Sequence, residues 1–290
     1  MIITKITHGL GNQLFQYAIA RHMSLRSDTS LYVDLAYYRQ FYESDTPREF
    51  KLHHFGVDYG VLNTSPLLYL SKATKLFPNR SFGPLFKLVK EEGFAYNTRP
   101  LETRALMITL DGFWQSERYF SGIGSLLRKE LTVTKDLGPV FARYREQIAA
   151  TPVSVSVHIR RGDYVHNASF SQTFGFVGMD YYERAIARIR ERFPDSRFFV
   201  FTDDHPWVAE HFRIGDDAVF VQNEGPDADL ADLMLMRTCR HHIIANSSFS
   251  WWGAWLNERP DKYVIAPAQW FRNKPELDTK DLIPSSWTKL

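Results

Sequence analysis

The hydrophobic positions of this chain switch between two spacings, and the switches mark out its elements. Residues 2–6, IITKI, form a short apolar run and predict a strand. THGLGNQ follows as a glycine-containing turn. Phe15, Ile19 and Met23 then recur at every fourth residue, with Leu14, Ala18 and Leu25 beside them, which predicts a helix. LYVDL at 31–35 predicts the next strand. Strand, glycine turn, helix and strand are how a parallel α/β sheet begins.

The stretch from about residue 40 to 150 has weaker periodicity. NTSPLLYL reads as a helix start, with Asn, Thr or Ser as cap and Pro66 in the first turn. A strand is expected over Leu106–Leu110, and helices over 117–131 and 139–150. Thr151-Pro152 breaks the last of these, so the domain boundary is placed there, dividing the chain into 1–150 and 151–290.

Beyond that point the alternation is regular. The strand VSVSVHI gives way to a loop and then to a helix opening at Asp180, where Asp180 and Glu183 have capping-box spacing. Tyr182, Ala185, Ile186, Ile189 and Phe193 lie on one face of that helix, and Pro194 ends it. The strands RFFVFT, AVFVQ, HHIIA and KYVIA then alternate with the helices DDHPWVAEHF, DADLADLMLMRTC and SSFSWWGAWLNE. The expected class is α/β, with two Rossmann-like halves built on parallel sheets.

Composition narrows the function classes. A chain of 290 residues can bury roughly 75% of its unfolded surface. A formal net charge of +2 lacks the basic excess of a nucleic-acid or membrane-surface binder. One cysteine, Cys239, leaves no internal disulfide and no cysteine-based zinc cluster. MIITKITHGL has neither the basic start nor the apolar core of a signal peptide, and no run of about 18 apolar residues occurs. A cytoplasmic setting is expected.

In doubly wound sheets, ligands sit beyond the carboxyl ends of the strands. Four unusual stretches fall there: HGLGNQ, HIRRGDY, TDD and NSSFSWW. Asn246, Ser247 and Ser248 stand where free N–H groups meet the positive end of a helix, suited either to a phosphate or to simple N-capping. Arg160 continues the alternation of a core strand, and its fork of donors suits a phosphate or an internal ion pair with Asp163. His158 reads as a core histidine or a ligand contact. Arg161-Gly162-Asp163 has the letters of an adhesion tag, but it follows a buried strand.

GLGNQ lacks both the GxGxxG spacing and the P-loop lysine, which argues against a dinucleotide oxidoreductase and an ATPase. Asn12 is its first side chain able to reach a ligand. Asp203, in TDD, could hold a ribose or base, or cap the next helix. Asp227 and Asp229 have the spacing of a metal clamp, but they open a helix and read as caps; no metal site is expected. Asp232, one turn on, is a candidate to meet a base. Trp114 and Gln115 pair an aromatic face with a polar neighbour, as sugar sites do, although core packing explains Trp114 equally well.

Together HGLGNQLFQYA, GFWQSERYF, HIRRGDY and IIANSSFSWWGAWL resemble the bacterial α-1,2-fucosyltransferases, over residues 8 to 256. The resemblance implies a GT-B fold of two facing Rossmann-like domains, with the second holding GDP-fucose. It implies inverting, metal-independent transfer of L-fucose to a galactose 2-hydroxyl, with no cofactor beyond the donor substrate. The acceptor would be a galactose-containing oligosaccharide or a lipid-linked glycan, and a lipid-linked one would bring the enzyme to the inner face of the membrane. Arg160 would hold the diphosphate, Ser247, Ser248 and Phe249 would line the nucleotide, Asp232 would meet guanine, and Asn12 would approach from the facing domain. Asp163 is the nearest carboxylate in a matching motif and is the candidate base. A fucosyltransferase of α-1,6 linkage and a non-catalytic sugar or nucleotide binder are the alternatives.

Overall fold

The computed structural model describes residues 1–39, 48–62, 84–274 and 276–290, so the helix start read at NTSPLLYL lies outside the described residues. The chain divides into two compact units. The first comprises Met1–Thr134 with Leu277–Pro284, and the second Lys135–Glu276 with Ser285–Leu290. The boundary therefore falls ahead of the helix Gly138–Ala149 rather than after it. Tyr144 and Ile148 of that helix pack with Phe199, Phe201, Leu235 and Met236 of the second unit, which explains the shift.

Among the described residues the first unit holds five parallel strands in the order β3-β2-β1-β5-β4: β1 (Ile2–Lys5), β2 (Leu31–Asp34), β3 (Gly60–Val61), β4 (Phe86–Lys90) and β5 (Met107–Asp111). Helix α1 (Leu10–Arg26) links β1 to β2, and buries Leu14, Phe15, Ala18, Ile19 and Met23 as their spacing requires. Leu25 is not part of that face and is exposed. The helix expected over 117–131 is broken into 3₁₀ turns at Glu117–Tyr119 and Ser121–Ile123, and then α2 (Gly124–Glu130). Gly122 and Gly124 in its middle weaken a continuous helix.

Among the described residues the second unit holds six parallel strands in the order β11-β10-β9-β6-β7-β8. They are β6 (Ser154–Ile159), β7 (Arg197–Thr202), β8 (Ala218–Phe220), β9 (His241–Ile243), β10 (Val264–Ala266) and β11 (Thr288–Lys289). Strand β7 is buried on both faces, with Phe198 and Val200 entering one core cluster and Phe199 and Phe201 the other. Continuous apolar sequence is what a parallel strand covered on both sides demands.

The helices of this unit are α3 (Gly138–Ala149), α4 (Gly162–His166), α5 (Ala168–Thr173), α6 (Met179–Arg192), α7 (His205–His211), α8 (Ala228–Thr238) and α9 (Ser248–Leu256). Helix α6 buries Tyr182, Ala185, Ile186 and Ile189 against Val155, Val157 and Ile159. Each large aliphatic side chain among these contributes about 1.5–3 kcal/mol. The capping box at Asp180 is not formed. The N-cap is Gly178 at φ +89°, a conformation that suits glycine, and no side chain caps the helix.

Candidate active site

Strand register positions the centre of the site. β6 pairs with β7 up to Ile159↔Thr202, so the next residues, Arg160 and Asp203, leave the sheet side by side. Arg160 Nη1 lies 2.9 Å from Asp203 Oδ2, and its Nη2 donates to Asp163 Oδ1 at 2.6 Å. Its buried Nε has no partner, and Tyr164 lies beneath the guanidinium at 5.3 Å. Burial works against the charge on Arg160, but Asp203 and Asp163 outweigh burial and hold its pKa above the ordinary value. Burial likewise raises the Asp203 carboxyl, and Arg160 with the Arg161 and Gly162 N–H groups brings it below the usual range.

Arg161 faces the other way, as strand alternation requires. Its Nε donates to Asp204 Oδ2 at 3.1 Å, and its guanidinium lies 3.8 Å from the centre of the Trp207 ring. The ion pair of Arg160 with Asp163 exists, and it fixes the orientation of the guanidinium fork. Three carboxylates surround the two guanidinium groups, so any attraction for an anion rests on oriented N–H donors rather than on net charge. Asp163 is fastened to Arg160 through that ion pair and can orient its guanidinium. The adhesion-tag reading fails structurally, because Arg161 is pinned and Asp163 is only 6% exposed.

His158 is buried with its ring 5.5 Å from that of Phe249, and its Nδ1 has no partner. Burial, opposed by Asp203 and helped by the Arg160 charge, lowers its pKa to about 3 and keeps it neutral. Ser247 caps α9, its Oγ accepting from the Phe249 N–H at 3.3 Å, while Ser248 and Phe249 are half-buried at the helix start. The Asn246 amide is committed elsewhere. Its Nδ2 donates to the carbonyls of Phe174, Gly175 and Trp270, so it ties loops together instead of presenting donors to a ligand. Asp203 does not cap α7; Asp204 does, through the Trp207 N–H.

Beyond β8 lies a cavity of about 490 Å³, lined in part by Leu137, Arg143, Gln222, Asn223, Asp227 and Ala231. Asn223 Nδ2 donates to Asp232 Oδ1 at 2.7 Å. Burial pushes the Asp232 carboxyl up to about 7, against that hydrogen bond and with help from the charge on Asp229. Asp227 does not cap α8 through its side chain; its carboxylate pairs with Lys135 at 2.5 Å. Among the described residues no group of three His, Cys, Asp or Glu side chains is arranged to hold a metal ion.

In the first unit, Asn12 and Gln115 meet: Gln115 Nε2 donates to Asn12 Oδ1 at 2.7 Å. Trp114 is 1% exposed and packs edge-on to Tyr119 at 5.5 Å, so it belongs to the core and cannot stack on a sugar. Its neighbour Phe113 is the half-buried ring. Gln13 and Gln16 are buried polar residues at this end of the unit that the periodicity did not single out. Gln13 bridges the main chain of His8, Glu49 and Lys51, and Gln16 ties Thr7 to the Gly112 carbonyl. Two glutamines three residues apart on the buried side of α1 were the available signal.

The model of glycosyl transferase family 11 matches residues 105–289, more than half of the chain. The chain belongs to glycosyl transferase family 11. Among its relatives, the Escherichia coli α-1,2-colitosyltransferase is 33% identical over 303 residues, covering 100% of this chain and 99% of that protein. The O-antigen biosynthesis glycosyltransferase WbnK, also of Escherichia coli, is 32% identical over 304 residues, covering 98% and 99%. Similar solved structures include fucosyltransferase NodZ from Bradyrhizobium (TM-score 0.51, 15% identity, 87% of this chain and 91% of that one). A variant of Arabidopsis thaliana FUT1 in complex with GDP is similar too (TM-score 0.57, 10% identity, 99% and 75%). The family 11 fold in this chain is accordingly GT-B.

Proposed function

We propose that this family 11 glycosyltransferase moves L-fucose, with inversion, from GDP-β-L-fucose to the 2-hydroxyl of a galactoside during O-antigen or other surface-polysaccharide assembly. The observation that carries the reading is Arg160, fixed by register beside Asp203 and by its ion pair to Asp163. Each Nη spends one N–H on a carboxylate and keeps a second for phosphate oxygens. As the sugar–phosphate bond breaks, negative charge grows on the diphosphate, and donors already oriented gain most in that state. The cavity beside Asn223 and the α9 start would take the nucleotide, with Asp232 accepting from guanine donors. Asp163 and Asp203 would act by orienting the fork, and neutral His158 would add no charge beside it.

No metal is required in this reading, because Arg160 supplies the countercharge. We place the reaction in the cytoplasm, at the inner membrane face when the acceptor is lipid-linked; the buried free Cys239 suits a reducing compartment. Among the described residues no helix is long and apolar enough to cross a membrane.

A second donor has support of its own. The full-length similarity to a colitosyltransferase makes GDP-colitose, the donor of another deoxyhexose, the rival to GDP-fucose. The test measures GDP release from each donor against a panel of galactosides, with product linkage assigned by NMR. GDP release from GDP-fucose that depends on a galactoside, with an α-1,2 product, supports the reading, whereas release from GDP-colitose alone supports the rival donor. An α-1,6 product, or no acceptor-dependent release from either donor, overturns it.

A further inference from the structure

The cavity beyond β8 is built wholly within the second unit, between the start of α3, the loop that follows β8 and the first turn of α8. At about 490 Å³ it falls in the range of small-molecule sites, roughly 300–1,000 Å³. Its charged lining is mainly acidic, with Asp136, Glu224 and Asp227 set against Arg143. Lys135 is spent on Asp227. Such a lining repels a diphosphate and suits the nucleoside end of the donor, whose base and ribose carry N–H and O–H donors.

One group in that lining has its polarity set from behind. Asn223 Nδ2 donates to Asp232 Oδ1 at 2.7 Å, which turns the amide so that its oxygen is left unspent. An ionised carboxylate only accepts, so the reverse orientation would set two oxygens against each other. The loop that carries Asn223 is fixed as well. The hydroxyl of the buried Tyr144 donates to the Phe220 carbonyl at 3.4 Å and accepts from the Gln222 N–H at 3.3 Å. Asn223 Oδ1 and the Asp232 carboxylate thus form two acceptors joined by one hydrogen bond. Guanine carries a ring N–H and an amino group next to each other on one edge, whereas adenine, cytosine and uracil set an acceptor beside each donor.

We propose that Asn223 is a specificity-determining residue for the donor nucleotide, its Oδ1 accepting from the exocyclic amine of guanine while Asp232 accepts from the ring N–H. The inference rests on the transfer reading above and deepens it. Adenine presents a lone pair where Asp232 needs a donor. Hypoxanthine keeps the ring N–H but lacks the amine, so Asn223 is the group that separates guanine from hypoxanthine.

Calorimetric titration of the full chain with GDP and with IDP, its hypoxanthine analogue, tests this. Wild type should bind GDP more tightly than IDP by roughly five- to tenfold, the worth of one hydrogen bond between neutral groups. Asn223→Ala should bring the two affinities to within about twofold of each other, by weakening GDP more than IDP. Asn223→Ser, whose shorter side chain withdraws the oxygen, should narrow the ratio likewise, with thermal unfolding confirming that each variant folds. A merely structural role for Asn223 would weaken both nucleotides equally and leave the ratio unchanged, and that result overturns the proposal. So does a wild-type protein that binds GDP and IDP alike. Failure of the transfer reading looks different: the wild-type protein then binds neither nucleotide, and the proposal falls with it.

Discussion

Gly162 and Asp203 share a space that admits no side-chain carbon: a Cβ on Gly162 would stand 2.5 Å from Asp203 Oδ2 and 3.0 Å from its Cγ. The same Oδ2 faces Arg160 Nη1 at 2.9 Å. Gly162→Ala should therefore displace the carboxylate that sets the fork. Overpacking of this kind costs about 1–3 kcal/mol, and a similar loss at the transition state is roughly one to two powers of ten in kcat. Steady-state kinetics with circular dichroism checks it; wild-type turnover in Gly162→Ala would show that Asp203 does not position Arg160.

Asp163→Asn separates orientation from base catalysis. Asparagine keeps an oxygen for Arg160 Nη2 but loses the charge. An orienting role predicts a fall in kcat below about tenfold, whereas removal of a general base costs 10²–10⁴-fold. GDP should bind as well or better, because a negative charge near the diphosphate is gone. A fall of a thousandfold or so with GDP binding intact would return Asp163 to the role of base.

Asp232→Asn should trade recognition for stability. The folded-state pKa of Asp232 is raised from 3.8 to about 7, so its contribution is fully present below about 3.8 and is lost as pH rises through about 7. At about 1.4 kcal/mol per pH unit, holding the ionised carboxyl in place at pH 8 costs on the order of a few kcal/mol. Asn removes that cost. Thermal unfolding should show a gain at pH 8 that disappears near pH 4, and GDP should bind more weakly, since an amide N–H₂ meets guanine donors. Equal gains at both pH values would contradict the assignment of burial as the cause.

The second sheet was legible because parallel strands covered on both faces are written as continuous apolar runs. RFFVFT is the clearest case, and it forms β7. Edge strands lack that signature. Phe86–Lys90 is only half-buried, and Thr288–Lys289 is two residues long. Helices α4 and α5 cover GDYVH and ASFSQT, which carry no amphipathic period. Strand ends pointed to the stretches gathered there, but periodicity could not say which contacts each side chain makes. Asn246 spends its amide on three carbonyls, Trp114 turns inward with positive φ, and Gln13 and Gln16 fasten loops that are distant in sequence. These are properties of tertiary hydrogen bonding, which leaves no spacing in the chain.

Chelation addresses the metal-independent reading. Activity should be unchanged after EDTA treatment and on adding back Mg²⁺ or Mn²⁺, because Arg160 rather than a cation opposes the leaving-group charge. Loss on chelation with recovery on Mn²⁺ would show that Asp227 and Asp229 serve as a clamp despite the Lys135 pairing.

In the proposed transfer it is Arg160, and not its neighbour, that stabilises the departing diphosphate. The direct measurement is kcat and donor KM for Arg160→Lys and Arg161→Lys, side by side. Loss of a preorganised donor typically costs on the order of 10²–10³ in kcat, and lysine cannot reproduce the fork that spans Asp163 and Asp203. Arg161→Lys loses its place over Trp207 and should lower thermal stability by about 0.5–1 kcal/mol while leaving kcat within a few-fold. Arg160→Lys should be slower than Arg161→Lys by roughly a hundredfold. Near-normal turnover in Arg160→Lys, or a slower Arg161→Lys, would contradict it.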